Sequence, residues 1–413
     1  MLWLKFGWRN LWRSPRRTVI EITSISGAVF LCMWTVSMQS GMYPKMIEEG
    51  TRMGSGHIGF YQKDYLELRR AALTFPIAEL MEKLAAEEGV KGVFARVHLP
   101  GLARSSRDSR GAAMLGLDLE REKGTNPLLK DKHLAAGRWP KNNSFKEAVM
   151  GAGLANELGL KLNRKFVWMT QDKNGEMVSR LFRVCGFIKT GIPDIDKGLV
   201  LVARPAAAGI LGAPGHAHEV AVLLADYRQV KSFLPRAELL ASSMPHVDAV
   251  TWQAAMPQIA DAIRLDRASG YIFLSLLMLI VGIGTANTML MSILERVREF
   301  GVVRSLGLDR KSVVRMILAE GFVLGLTGSA FGIAAGSLLI LYQSRYGFDL
   351  TGLMGEKGQE FAGVLIEPIL YPAWDWPRVA AIAAIMCLIA LTASIYPTLR
   401  ALGVRPAEAM RRY

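Results

Sequence analysis

The sequence predicts an α-helical membrane protein with four transmembrane helices and a large α+β extracytoplasmic domain between helices 1 and 2. Two charge-free runs lead to this prediction: Tyr271–Ile293, with 23 residues, and Gly321–Ser344, with 24. Roughly 20 apolar residues suffice for a helix to cross a bilayer. In contrast, residues 41–269 contain no run that is apolar enough to cross.

The distribution of charge indicates membrane flanks rather than a nucleic-acid-binding surface. The 413 residues carry a net charge of +14, and this excess is concentrated in residues 1–17, 294–315 and 399–413. Basic residues beside transmembrane helices mark the cytoplasmic side. We therefore expect no nucleic-acid partner. Of the three cysteines, Cys32 and Cys387 fall in predicted spans, so Cys185 has no disulfide partner in the polar domain.

The amino-terminal residues 1–17 contain five basic and no acidic side chains, together with tryptophans. Such a segment is expected to lie at the cytoplasmic surface, with its rings at headgroup depth and its basic groups on anionic lipid. Residues 18–40 form the predicted first transmembrane helix. A cleaved signal peptide is the alternative, but no Ala-x-Ala site follows this long apolar run.

Residues 41–269 are predicted to form the large external domain. The spacing of Ile77, Leu80, Met81 and Leu84 predicts an amphipathic helix. Asn174-Gly175 predicts a hairpin turn between two strands. The remaining predicted elements are strands at 56–61, 90–102, 112–117, 166–170, 181–187, 219–224 and 247–252 and a helix at about 227–242. Residues 252–269 are predicted to be helical and to continue into the second span.

The rest of the chain alternates between membrane and solvent. We predict transmembrane helices at 270–293, 316–344 and 378–400, joined by a cytoplasmic segment at 294–315 and an external loop at 345–377. A cytoplasmic tail follows at 401–413. The 294–315 segment holds six basic and three acidic residues, which places it inside the cell. Span 2 contains Gly282 and Gly284, and span 3 contains five glycines, several of them four apart. They predict close helix packing, and a moving interface is the alternative.

The run ERVREFGVVRSLGLDRKSV, from Glu295, resembles the cytoplasmic coupling segment of FtsX-like ABC transporter permeases. This group includes MacB-type exporters and the lipoprotein-releasing LolC/LolE-type permeases. The resemblance implies that the segment docks onto an ATP-binding subunit. The residues expected to make this contact are Glu295, Arg298, Glu299, Gly301, Arg304 and Gly307. On a continuous helix, Glu295 and Arg298 would be neighbours on one face.

Further motifs extend the resemblance to the MacB-type external core domain: GHIGFY from Gly56, GLDLE from Gly116, LAAGRWP from Leu134 and VMGAGLANELGL from Val149. No G-x-x-x-x-G-K-[ST] motif occurs, so ATP and Mg²⁺ are expected in a separate ABC ATP-binding subunit. We expect no cofactor, metal or catalytic residue in this chain. Four spans imply a dimer, with a second permease copy or a paralogue.

The histidines show no arrangement in the sequence that indicates a metal site or a catalytic site. His216-x-His218 lacks nearby ligands, and Pro214-Gly215 favours a flexible loop over a metal site. His57 and Glu219 show no acid–base arrangement.

The leading hypothesis is a permease subunit in the bacterial inner membrane, with both termini cytoplasmic. It would couple ATP hydrolysis by its partner to movement of its periplasmic domain. The leading hypothesis for the cargo is a lipoprotein that is released from the inner membrane. MacB-like export of a peptide, drug or siderophore is one alternative. FtsX-like signalling to a cell-wall hydrolase is another. A periplasmic acceptor or adaptor protein is a further candidate partner. A membrane-anchored sensor or binding protein without an ATPase belongs to a different class.

Overall fold

The computed structural model describes residues 2–305, 307–354, 359–361, 364–366 and 369–402. Parts of the predicted external loop (355–358, 362–363 and 367–368) and most of the predicted tail (403–413) therefore lie outside the described residues.

The bounds of the secondary structure are as follows. The helices are α1 (Leu2–Leu11), α2 (Pro15–Met53), α3 (Tyr65–Leu68), α4 (Ala78–Ala85), α5 (Leu119–Glu122), α6 (Ala152–Glu157), α7 (Pro193–Gly198), α8 (Arg204–Leu211), α9 (Val230–Ser242), α10 (Trp252–Ala255), α11 (Pro257–Glu295), α12 (Val297–Ser305), α13 (Arg310–Tyr346), α14 (Thr351–Met354) and α15 (Trp376–Leu402). The strands are β1 (Ile58–Gln62), β2 (Phe75–Pro76), β3 (Val90–Arg104), β4 (Ser109–Leu117), β5 (Leu134–Gly137), β6 (Glu147–Gly151), β7 (Lys165–Gln171), β8 (Met177–Ile188), β9 (Leu199–Ala203), β10 (His216–Ala217), β11 (Glu219–Leu224), β12 (Val247–Thr251), β13 (Phe348–Asp349), β14 (Gln359–Phe361), β15 (Val364–Ile366) and β16 (Ile369–Leu370). Short 3₁₀ turns occupy Pro127–Leu129, Asp131–His133 and Tyr227–Gln229.

The chain divides into two compact units. The first, here called the membrane unit, contains Met1–Tyr43, Leu265–Asp349 and the chain from Ile369 onward. Within the described residues, four helices are long and apolar enough to cross a membrane: α2, α11, α13 and α15. The predicted four transmembrane helices are confirmed, and the first three extend past their apolar runs at both ends.

Glycines of α13 bring this helix against two neighbours in the membrane unit. A Cβ added at Gly321 would lie 2.2 Å from Ser394 Oγ in α15, and one at Gly332 would lie 2.7 Å from the backbone oxygen of Ser26 in α2. Small residues allow such close approach between helices in lipid. Packing is therefore the observed role of the predicted glycine series in α13.

The second unit, here called the external unit, contains Pro44–Arg264 and Leu350–Pro368. Its described residues include a ten-stranded sheet in the order β12-β1-β11-β3-β4-β9-β6-β8-β5, with β7 paired to β3 and β8. Most pairs are antiparallel, but β4–β9 and β6–β8 are parallel. This mixed sheet with covering helices confirms the predicted α+β domain.

Local sequence signals account for several of these elements. The predicted hairpin joins β7 to β8, and Gly175 takes a φ of 83° in its turn. A left-handed φ suits glycine because it has no Cβ. The Asp172 carboxylate accepts hydrogen bonds from the backbone N–H groups of Asn174 and Glu176, which fixes the turn.

One helix prediction is wrong in detail, because residues 252–269 are not one helix. The chain leaves helical geometry at Met256, with φ −127° and ψ 65°, and α11 begins at Pro257. Proline disfavours helical geometry in the residue before it and suits the first position of a helix. The proline therefore ends α10 and starts α11.

Candidate functional site

The 294–315 segment folds as a short helix between two long ones. Helix α11 ends at Glu295, a turn follows at Arg296, and α12 runs from Val297 to Ser305. Gly307 then takes a φ of 99°, which favours glycine. Asp309 caps α13 by accepting a hydrogen bond of 3.0 Å from the Ser312 backbone N–H. Hydrogen bonding by Ser312 lowers the pKa of Asp309 below its ordinary value.

One side of α12 is fixed to the membrane unit by apolar contacts. Phe300 is 6% exposed and packs in a cluster with Ile293, Val313 and Ile317. These residues belong to the end of α11 and the start of α13, so α12 folds back onto both helices. Burial of a phenylalanine stabilises such a contact by roughly 1.5–3 kcal/mol.

A buried ion pair lies beside this cluster. Arg296 Nη1 is 3.1 Å from Glu320 Oε2, and the two side chains are 14% and 9% exposed. The Asn10 amide donates a hydrogen bond of 3.4 Å to the same carboxylate, which connects α1 to the site. The Arg296 guanidinium also lies 5.3 Å from the centre of the Phe300 ring. The turn between α11 and α12 is thus held by charge as well as by apolar packing.

The predicted acidic contact residues are already paired within the chain. Arg17 Nη1 and Nη2 lie 2.6 and 2.5 Å from the two carboxylate oxygens of Glu295. Arg13 Nη1 lies 2.6 Å from Glu299 Oε2. The Arg13 and Glu299 side chains are 57% and 54% exposed, and exposed ion pairs are weak and sensitive to salt.

The structure brings some of the predicted contact residues together and separates others. Arg298 and Glu299 are exposed on α12, and Gly307 is exposed in the following turn. Gly301 and Arg304 also lie in α12, but the structure does not describe the exposure of these two residues. The expectation that Glu295 and Arg298 share one helix face is wrong, because the turn at Arg296 places them in different helices.

Sequence reasoning missed three residues of this site: Arg13, Arg17 and Arg296. Residues 1–17 were expected to place their basic groups on lipid, whereas Arg13 and Arg17 contact carboxylates of the 294–315 segment. A signal was available in the spacing. Arg13 and Arg17 are four residues apart, as are Glu295 and Glu299.

The external unit contains a second polar cluster, around Glu219. This carboxylate accepts a hydrogen bond of 2.9 Å from Tyr61 Oη and lies 2.6 Å from His98 Nε2. Burial alone would raise the pKa of Glu219, but hydrogen bonding to His98 and the charges of His98 and Arg96 outweigh it and lower the pKa to about 2. The cluster joins three strands of the sheet.

The flexible-loop interpretation of His216-x-His218 is wrong. His216 lies in β10, and His218 is buried with a backbone N–H of His98 donating to its Nδ1 at 3.2 Å. His218 Nε2 lies 3.1 Å from the carbonyl oxygen of Ala71. The histidine therefore joins neighbouring backbone segments. Among the described residues, no group of three or more His, Cys, Asp or Glu side chains could hold a metal ion.

A basic and apolar groove of about 560 Å³ lies beside the β7–β8 hairpin. Its cationic lining residues are Lys146, Lys165, Arg180 and Arg183. Phe145 and Leu181 also line it and are 62% and 51% exposed. An exposed surface of this kind favours an acidic partner that also carries apolar side chains.

The membrane unit resembles a known permease domain. Residues 271–406 match the family of the FtsX-like permease C-terminal domain. This match covers α11 from Tyr271, the 294–315 segment, α13 and α15. The chain is therefore a multi-pass membrane protein in which residues 271–406 are similar to the FtsX-like permease domain.

Two named relatives extend the similarity beyond this domain. The chain is 26% identical over 275 residues to the lipoprotein-releasing system transmembrane protein LolC of Neisseria meningitidis serogroup B, and this covers 64% of the chain and 65% of that relative. It is 20% identical over 342 residues to the corresponding protein LolE of Haemophilus influenzae, which covers 80% of each. The periplasmic region of MacB from Actinobacillus actinomycetemcomitans is a structural neighbour, with 12% identity and a TM-score of 0.37 over 52% of this chain and 98% of that one.

Proposed function

We propose that this chain is the permease subunit of an ABC transporter and receives mechanical work from an ATP-binding subunit through α12. One observation carries the proposal. Within residues 271–406, the short helix α12 exposes Arg298 and Glu299 on one side. On its other side it packs against α11 and α13 through the buried apolar cluster around Phe300. A force on α12 therefore acts on two transmembrane helices.

The proposal includes an orientation and a set of partners. The 294–315 segment and both termini lie in the cytoplasm of a bacterial inner membrane, in agreement with the basic excess of that segment. ATP and Mg²⁺ bind to the separate ABC ATP-binding subunit. A second copy of the chain, or a paralogue, completes a dimer.

The cargo we propose is a membrane-anchored lipoprotein that is released from the bilayer. Support comes from the similarity to relatives named as lipoprotein-releasing proteins. Such work suits an ATP-driven device, because each buried CH₂ holds an acyl chain in the membrane by about 0.8 kcal/mol. The basic groove beside the β7–β8 hairpin offers a periplasmic acceptor or adaptor protein an exposed docking surface.

The proposal is tested by purifying the tagged full-length chain from membranes and asking which proteins remain bound. We expect an ABC ATP-binding subunit, and we expect Arg298→Glu to abolish its retention. Arg228→Glu is the matched control, because Arg228 is an exposed arginine of the external unit. Retention of no ATPase by the native chain would favour a sensor or binding protein, and equal retention by both variants would remove α12 from the contact.

A further inference from the structure

Four charged side chains connect the amino-terminal region to the 294–315 segment in a reversed order. Arg13 pairs with Glu299 at 2.6 Å, and Arg17 pairs with Glu295 at 2.5 Å. The two arginines are four residues apart and so are the two glutamates. The two chain segments therefore run antiparallel where they meet, and each pair reinforces the same register.

The helix break explains why α12 needs this support. Continuous backbone hydrogen bonds would fix α12 to α11, but the turn at Arg296 interrupts them. On its buried side, α12 is held by the apolar cluster around Phe300 and by the ion pair between Arg296 and Glu320. On the exposed side, Arg13 pairs with Glu299 of α12, and Arg17 pairs with Glu295 at the end of α11. The two contacts therefore hold the chain on both sides of the turn and set the direction of α12 relative to α11. Glu295 uses both of its carboxylate oxygens for Arg17, and such bidentate pairs are geometrically specific.

We infer that Arg13 and Arg17 are positioning residues that hold α12 in the orientation in which it meets its partner. This inference rests on the proposed function. It also changes the role of two predicted contact residues. Glu295 and Glu299 act first as internal partners of the arginines, so the surface offered by α12 is dominated by Arg298. An acidic face on the ATP-binding subunit fits that surface.

Two other roles for these residues give different results when charges are exchanged. If Glu295 contacted the ATP-binding subunit directly, replacing it with arginine would be harmful whatever residue stood at position 17. If Arg17 acted only by binding anionic lipid, Arg17→Glu would be harmful whatever stood at position 295. An internal pair predicts rescue, because Arg17→Glu and Glu295→Arg together restore the attraction.

The experiment uses the full-length chain, with Cys387 replaced by serine and spin labels attached at Lys5→Cys and Ser305→Cys. Lys5 and Ser305 are exposed residues of α1 and α12. We expect Arg17→Glu and Glu295→Arg each to broaden the distance distribution between the labels, and the double exchange to restore it. Arg13→Glu with Glu299→Arg should restore the distribution only in part, because Glu299 also lies 3.7 Å from Arg296 Nε and an arginine there would repel it. Arg16→Glu is the control, because Arg16 is exposed and adjacent in sequence to Arg17.

Retention of the ATP-binding subunit and its ATP hydrolysis are measured on the same variants. Loss in each single variant with recovery in the double exchange supports the inference. A double exchange as defective as the single variants, or an Arg16→Glu variant equal to Arg17→Glu, overturns it. If the native chain retains no ATPase, the proposed function fails, while the label distances still decide whether the arginines position α12.

Discussion

Arg96 and Glu122 form an ion pair of 2.8 Å in which each side chain is only 1% exposed. The same guanidinium donates hydrogen bonds to the carbonyl oxygens of Arg52, Met53 and Gly54, at the end of α2. The last carbonyls of a helix have no partner within the helix. Arg96 thus satisfies the end of α2 and connects it to the sheet, while the Asn126 amide donates a hydrogen bond of 2.7 Å to Glu122.

Arg96→Met should strongly destabilise the external unit. The substitution leaves the Glu122 charge buried without its partner and frees the carbonyls of α2, and breaking a buried pair typically costs about 3–5 kcal/mol. The midpoint of urea unfolding of the full-length chain, followed by tryptophan fluorescence, measures the loss. Lys83→Met is the control, because Lys83 and Glu79 form an exposed pair with side chains 42% and 74% accessible. Equal midpoints for the two variants would contradict a structural role for Arg96.

Gly332→Ala should weaken the packing of α13 on α2. The added Cβ would lie 2.7 Å from the Ser26 carbonyl oxygen and 2.8 Å from Val29 Cβ, so the two helices must move apart. Thermal unfolding in detergent should occur at a lower temperature than in the native chain. At Gly284 of α11, an added Cβ meets no atom within 4 Å. Gly284→Ala should therefore be tolerated, and a larger loss there than at Gly332 would refute the packing argument.

The external unit should lose stability as the pH falls below about 6.5. Burial, with the charge of Arg52, lowers the pKa of His57 to about 4, and burial, with the charge of His98, lowers that of His218 to about 3. Below pH 6.5 the unfolded chain binds protons at these histidines that the folded chain does not bind, so acid favours unfolding. Each unit by which folding lowers a histidine pKa reduces the free energy of unfolding in acid by about 1.4 kcal/mol at most.

Glu219 adds to this loss in a lower pH range. The pKa of Glu219 is about 2 in the folded chain and about 4.3 when unperturbed. The ionised carboxylate therefore stabilises the folded chain above about pH 4.3, and this stabilisation is lost as the pH falls toward 2. Unfolding midpoints at pH 7, 5.5 and 4 test the histidines. His57→Gln should flatten the decrease between pH 6.5 and 4, and an unchanged pH profile would exclude His57 as its source.

Glu299→Lys should uncouple ATP hydrolysis from cargo release without preventing folding or insertion. The substitution reverses the charge on the exposed face of α12 and places a lysine beside Arg13. Release of lipoprotein and ATP hydrolysis by the assembled complex are measured together. Glu79→Lys reverses an exposed acid of the external unit and should leave both activities unchanged. Normal coupling in the Glu299→Lys variant would argue strongly against a role for α12 in coupling.

The elements that were predicted correctly depend on short-range signals. Charge-free runs predict α11 and α13 because a bilayer demands length and low polarity. Asn174-Gly175 predicts the β7–β8 turn because one residue type suits a left-handed φ. The break at Met256 could also have been predicted locally, because Pro257 follows it and disfavours helical geometry in the residue before it.

The remaining contacts depend on residues far apart in the sequence. Arg96 lies on β3, 42 to 44 residues from the end of α2 that it contacts, and His218 is buried by strands from other parts of the chain. Arg13 and Glu299 are separated by most of the protein. No local period marks such pairs, although the matching four-residue spacings of Arg13, Arg17, Glu295 and Glu299 were visible.

Photocrosslinking from position 302 in native membranes tests most directly whether α12 meets an ATP-binding subunit. Val302 is 44% exposed on α12 and lies four residues from Arg298, so its replacement leaves the Arg298 side chain in place. A photoreactive amino acid replaces Val302 in one variant and Asn174, in the β7–β8 turn, in another. We expect an adduct with the ATP-binding subunit from position 302 and none from position 174. An adduct from position 174, or the absence of one from position 302 while the subunit is present, would contradict the proposed coupling role.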